Sequence, residues 1–342
     1  MKYSLRSLAM HAVMLFLLLG DSLRATAEEQ ATPLAPEFEP YLKWLPENTE
    51  TLRGGTKFTA RAITAARNDL ARTQSGEKNL MPYLRAMILD PIILLDDGKV
   101  WEPLADKKIS LALSGARNFE TVSAFGSHRC EGCTIIVFEK ELAEAGKAWL
   151  NEARPRAKEI RKIGKREMFV FPSTAVMEPV FKLKPWQGSF IVLLNSTTLL
   201  CATSDAYLKE VLERIDHPAK GRTLPSTLVE WKSVDPTSPT WMIRHVPENQ
   251  PSRQLEGVVW NQSERESKVT YFPSLGKLPA IEEFVRSRWT KGLPGKPAKV
   301  ERTPGGLITV SASPEGLDEA SGFLMVLNLY VLAGESGPDA EN

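Results

Sequence analysis

Apolar and polar positions alternate along this chain with two periods, and the switches between them divide it into strands and helices. Period-two alternation or short apolar runs predict strands over residues 109–113, 134–138, 159–163, 167–171, 190–194 and 199–203. The same signal returns over 241–246, 258–260, 268–272, 299–302 and 307–311. Helical spacing predicts helices over 57–72 and 79–89, the second with Leu80, Leu84, Met87 and Ile88 on one face. Over 141–153, Leu142, Ala145 and Trp149 form one stripe. Ser204 or Asp205 caps a helix lined by Leu208, Val211, Leu212 and Ile215. Pro279 opens another, with Ile281, Phe284, Val285 and Trp289 on one side. A last helix begins at Ser313-Pro314-Glu315 and carries Leu317, Ala320, Leu324, Leu327 and Val331. The clearest hairpin turn is Asp96-Asp97-Gly98-Lys99, between the apolar run 92–95 and Val100-Trp101, because Asp-Gly supplies the positive φ of a tight turn.

The pattern repeats. Residues 134–171 and 268–310 each give a strand, a helix holding one Trp, a basic turn and two strands closed by a glycine. Trp149 precedes Phe169 by 20 residues, and Trp289 precedes Ile308 by 19. The expected fold is therefore α+β, with two similar lobes, each a mainly antiparallel sheet covered by helices on one face. The prolines at 218, 225, 236 and 239 mark the boundary. The expected organisation is a signal peptide (1–27), a proline-rich leader (28–46), a first lobe (47–216), a linker (217–239), a second lobe (240–334) and a tail (335–342).

The start of the chain changes the picture of where it works. Lys2 and Arg6 precede an apolar run from Leu8 to Gly20, and Ala25-Thr26-Ala27 gives the small-x-small pattern of a signal peptidase site. The chain is expected to be exported, to the periplasm or the extracellular space, or held at a membrane if the run stays uncleaved. Removing residues 1–27 turns the formal charge from +1 to −1, since Lys2, Arg6, Arg24 and Asp21 leave with them. Near-neutrality argues against nucleic acid, whose phosphates call for a surplus of Lys and Arg. No later segment is long and apolar enough to span a bilayer; the best, 323–333, is short and contains Asn328. Hydrophobic residues at 42% and charged residues at 25% are those of an ordinary globular protein.

Two blocks carry a resemblance. Trp44-Leu45-Pro46-Glu47-Asn48-Thr49-Glu50 resembles the Leu-Pro-x-x-Thr opening of uncharacterised secreted bacterial proteins built from tandem α+β repeats. Residues 198–208, Thr-Leu-Leu-Cys-Ala-Thr-Ser-Asp-Ala-Tyr-Leu, resemble the strand, small-residue and helix segment of the same proteins. The resemblance implies export and architecture, and it implies no activity and no catalytic residue.

Candidate chemistry is sparse. Cys130-Glu131-Gly132-Cys133 runs into a strand signal, so it lacks the helix N-terminus that activates a redox thiol. His128, Cys130, Cys133 and Cys201 would supply four metal ligands. In an oxidising compartment, the simpler expectation is a disulfide, either between Cys130 and Cys133 or from one of them to Cys201. His245 shares a strand face with Ile243 and Trp241 and reads as a satisfied histidine at a core edge. His217 ends a helix. The basic strip 154–166 holds no aromatic residue and reads as a solvated strand and turn. Of eight tryptophans, Trp186, Trp231 and Trp260 lie near turns and would suit a sugar or a partner if exposed, with core packing the default for most of them. Asp96, Asp97 and Glu102 are the weakest of candidates for a carboxylate pair. No serine-hydrolase elbow or phosphate loop is present. The balance favours a non-enzymatic envelope protein with no cofactor, binding a protein or a polysaccharide. An exported hydrolase and a metal or redox role at the cysteine pair are the alternatives.

Overall fold

The structure, a computed structural model, describes residues 36–59, 100–121, 128–172, 188–218, 221–248, 254–263, 266–291 and 298–312. Its strands are β1 (Thr51–Thr59), β2 (Lys108–Thr121), β3 (His128–Phe138), β4 (Glu159–Ile163), β5 (Arg166–Phe171), β6 (Ser189–Leu193), β7 (Thr198–Ala202), β8 (Thr240–His245), β9 (Leu255–Gln262), β10 (Ser267–Pro273), β11 (Lys299–Arg302) and β12 (Ile308–Ala312). Its helices are α1 (Glu39–Leu42), α2 (Ala143–Arg156), α3 (Asp205–Asp216) and α4 (Leu278–Lys291). The twelve strands make one sheet in the order β11-β12-β10-β9-β8-β1-β2-β3-β7-β6-β5-β4. The α+β expectation holds. The two separate sheets do not appear, because β1 pairs antiparallel with both β2 and β8 and joins the halves.

The order reads similarly outward from the β1–β8 seam. On one side β8, β9 and β10 form a meander, followed in the chain by α4 and by the β11–β12 hairpin, which returns to β10. On the other side β1, β2 and β3 form a meander, followed by α2 and the β4–β5 hairpin. There the β6–β7 hairpin is interposed between β5 and β3.

The seam depends on a missing side chain. Trp241 of β8 lies across Gly54 of β1, to which it is paired in register. A Cβ on Gly54 would stand 2.2 Å from the indole ring. Trp241 is 1% exposed and meets the edges of Phe38 at 5.3 Å and Trp231 at 6.0 Å. Phe38, Leu42 and Leu45 are buried in the same cluster, so the end of the expected leader is core. The expected linker likewise closes onto the sheet, burying Leu224, Trp231 and Val234. It forms a strap, with a short 3-10 turn at Val229–Ser233. Trp231 is thus a core residue rather than an exposed one, and its indole N–H donates to the carbonyl of Pro225 at 2.9 Å.

Both faces of the first half are covered, which corrects the expectation of helices on one face. On the first face α3, capped by Ser204, presses Tyr207, Leu208, Val211 and Leu212 onto Leu113, Ile135 and Leu200. On the second face α2 presses Trp149 and Ala153 onto Ile136, Phe169 and Leu199. Strands between two layers are apolar on both sides, and all five residues of β7 are buried. In the second half, α4 covers the second face with Ile281 and Val285 against Trp260, Tyr271 and Val310. Trp260 is therefore also buried.

The edges are charged. In the basic strip, Arg161 of edge strand β4 pairs with Glu159 and Asp205, and Arg154 and Arg166 pair with Glu167 and Asp216. Charge on an edge strand discourages pairing with another chain. The predicted helix over 57–72 begins inside what is β1 as far as Thr59. Its remainder, the 79–89 helix, the Asp96-Asp97-Gly98 hairpin, Trp186 and the helix after Ser313 lie outside the described residues.

Gly54→Val is expected to destabilise the protein by about 3 kcal/mol or more, because the indole has no room to shift. Gly305→Ala, where a Cβ meets nothing closer than 3.9 Å, is expected to stay within about 0.5 kcal/mol. Urea unfolding of both variants checks the pair.

Candidate functional site

The two blocks that carry the resemblance touch each other. Thr49 Oγ1 donates to the carbonyl of Pro46 at 2.7 Å and shares a hydrogen bond of 2.7 Å with the Tyr207 hydroxyl. Tyr207 is fully buried, and burial raises its pKa. Gly115 leaves room for it, since a Cβ there would stand 2.8 Å from both the Tyr207 hydroxyl and Leu45. Arg117, on the same face, donates to Asn48 Oδ1 at 2.6 Å and to Glu131 at 2.9 Å, and grips Glu210 with two bonds. Its guanidinium also lies 5.1 Å from the Tyr207 ring centroid. The hydrogen bonds from Arg117 to Glu210 keep it firmly protonated. These bonds lock the residues before β1 and α3 to the sheet.

Cys133 and Cys201 lie on different faces of the sheet. Positions 130 and 133 are three residues apart in the continuous strand β3, a span of about 10 Å. That exceeds the ~7 Å between Cα atoms that a disulfide bridges. Cys133 is a free thiol buried on the first face, and burial pushes its pKa up. Cys201 is buried on the second face. Opposite faces of one sheet rule out a bridge between Cys133 and Cys201 or a metal held by both. Among the described residues, no three His, Cys, Asp or Glu side chains gather to hold a metal. Glu102 is exposed in a short 3-10 turn. His217 is the C-cap of α3, as its position suggests.

His245 is the satisfied core-edge histidine that its spacing predicts. Its Nδ1 lies 2.7 Å from Oε1 of Glu230, a strap residue only 1% exposed. Gly257 of β9 makes the space, since a Cβ there would stand 2.4 Å from the same oxygen. A buried carboxylate without a partner is costly, so this pair pins the strap to the sheet. Asn261 of β9 pins it again: its Oδ1 accepts from the Asp235 amide at 2.7 Å and its Nδ2 donates to the Ser233 carbonyl at 2.8 Å.

Beyond these pins, between the strap and the first face of the second half, lies a groove of about 440 Å³. Thr270 of β10 and Thr309 of β12, opposite one another in register, contribute to its lining. They are 3% and 9% exposed, and neither hydroxyl has a hydrogen-bond partner among the described residues. The strap contributes Lys232, Ser233, Val234, Asp235 and Ser238, and the turn before β12 contributes Thr303 and Leu307. Lys268 and Glu266 also line it. Hydrogen bonds, led by that from Thr237, lower the pKa of Asp235 and hold it as a carboxylate. The groove's polar residues at 261, 268, 270 and 309 come from three strands that share one sheet face, so only Lys268 and Thr270, alternating within β10, left a local signal.

One substitution is expected to give opposite results at the two places. Thr49→Val strands the buried Tyr207 hydroxyl and should cost about 1–3 kcal/mol. Thr270→Val and Thr309→Val remove hydroxyls with no partner and should leave stability unchanged within about 0.5 kcal/mol, or raise it. Thermal unfolding of the three variants distinguishes the lock from the groove.

Among the described residues, no helix is long and apolar enough to cross a membrane. No protein-family model matches the chain, and no curated protein sequence does. Solved structures resemble it in the course of the backbone. Crystal form III of TP0453 is 9% identical, with a TM-score of 0.45 over 82% of this chain and 97% of that one. Crystal form I is 10% identical, with a TM-score of 0.44 over 86% and 98%. Crystal form IV is 10% identical, with a TM-score of 0.42 over 83% and 96%.

Proposed function

We propose that this chain is an exported protein of the cell envelope that binds a protein or a polysaccharide, carries out no chemistry, and uses the groove of its second half to do so. The observation that carries this reading is the pair Thr270 and Thr309: two threonines, nine-tenths buried, that line a groove with hydroxyls that have no partner among the described residues. Neither hydroxyl is sealed in the core, so both are open to a ligand that can donate to them or accept from them. Export is supported by the basic start, apolar run and Ala25-Thr26-Ala27 site.

A duplicated origin fits the same reading. The matching strand order on either side of the seam supports two copies of one unit, fused through β1 and β8. Under that correspondence, β10 stands where β3 stands. The first-face positions are Cys133 and Ile135 under α3 in one half, and Lys268 and Thr270 in the groove in the other. One copy then spends that face on packing and the other on binding.

Two measurements test the proposal. N-terminal sequencing of the protein made in its own cell should begin at Glu28. Purified mature protein should cosediment with envelope fragments of that cell. Thr270→Arg, which fills the groove, should reduce cosedimentation at least ten-fold, whereas Ile160→Arg on the far edge strand should not. Equal cosedimentation of Thr270→Arg and wild type, or an N-terminus at Met1 on protein found inside the cell, contradicts the reading.

A further inference from the structure

We infer that the ligand of the groove is a short, hydroxyl-rich oligosaccharide, an inference that rests on the groove being the binding face. The lining selects among ligand classes by its chemistry. Thr270 and Thr309 each present a hydroxyl that both donates and accepts, which is the bonding character of a sugar hydroxyl. Lys268 and Glu266 add a cation and an anion, and neither has an ion-pair partner among the described residues. They offer a donor and an acceptor.

A phosphate or sulfate ligand is disfavoured. Asp235 and Glu266 set two carboxylates beside Lys232 and Lys268, so the lining has no surplus positive charge. A peptide is disfavoured on other grounds. Peptide recognition draws its affinity from apolar or aromatic anchors in pockets, or from a free sheet edge. Only Val234 and Leu307 in the lining are apolar, and the groove lies on a sheet face. The volume of about 440 Å³ lies in the ~300–1,000 Å³ range of small-ligand sites, which suits a few sugar units. No aromatic side chain is among the lining residues, so the sugar is held by hydroxyl contacts and not by ring stacking.

The pinning of the strap fits this role. The strap wall is fixed by Asn261 through two hydrogen bonds and by the Glu230–His245 pair, so the spacing between wall and floor is set before a ligand arrives. A preset groove loses less conformational freedom on binding.

The test is an NMR titration of the mature chain with maltotriose, cellotriose and chitotriose, and separately with the tripeptide Ser-Asn-Thr. At least one trisaccharide should shift the amides of Thr270 and Thr309 saturably. Thr270→Val and Thr309→Val should each weaken that binding at least ten-fold while melting no lower than wild type. Trisaccharides that fail to bind, that shift other residues instead, or that bind both variants as wild type overturn the inference. If the peptide alone shifts Thr270 and Thr309, the sugar class falls and the groove stands as a binding face. If no probe shifts them, the inference falls, and cosedimentation of Thr270→Arg decides the groove separately.

Discussion

Trp241 lying over Gly54 decides whether this chain makes one sheet or two. The indole crosses β1 where any side chain would collide with it, and Phe38 and Trp231 close on its edges from α1's N-cap and from the strap. Three segments distant in sequence therefore meet at the seam between halves. Shape holds the contact together: the indole N–H is buried and has no hydrogen-bond partner among the described residues, at a cost of about 1–3 kcal/mol. The apolar contact has to outweigh that cost, and a glycine at 54 is what allows the approach. With β1 fixed between β8 and β2, the rest of the sheet follows outward by antiparallel pairing alone.

The sequence reading found the outer strands and missed the one that joins them, for a physical reason. In β3, β5, β6, β7, β10 and β12 the apolar runs or alternation are strong and bounded by turns, so pattern suffices. In β1, Thr-Leu-Arg-Gly-Gly-Thr-Lys-Phe-Thr, two glycines remove the side chains that would show alternation. The apolar spacing after Lys57 then draws the reading toward a helix. A strand that exists because another residue needs its emptiness cannot be read from its own composition. The two-sided burial of β6 and β7, which the expectation of helices on one face passed over, has its signal in the continuous apolar runs Phe190-Ile191-Val192-Leu193 and Leu199-Leu200-Cys201-Ala202. Nearness to a turn does not decide exposure for Trp231 and Trp260, since both are core residues: one anchors the strap and the other lies under α4.

The polar residues sort into two kinds that look alike in sequence. Thr49 is bonded to Tyr207, and Arg117 to Asn48, Glu131 and Glu210, and together they lock the motif before β1 to the sheet. His245 belongs with them: its core-edge position was legible, but Glu230, fifteen residues earlier on the strap, was not. Thr270 and Thr309 are as buried as the first kind yet lack partners among the described residues. Threonine is a common strand residue, so nothing at these positions marks function until burial is compared with bonding. The groove is thus a feature of tertiary assembly, its floor set by strands and its wall by the strap that the seam contact helps to hold.

The central claim is that β1 is an interior strand of a single sheet. Amide hydrogen exchange across residues 51–56 tests it most directly. The account predicts slow exchange there, matching β2 and β9, because both edges of β1 are hydrogen-bonded. Fast exchange over 51–56, with β2 and β9 still protected, would mean that the halves are separate sheets and would contradict it.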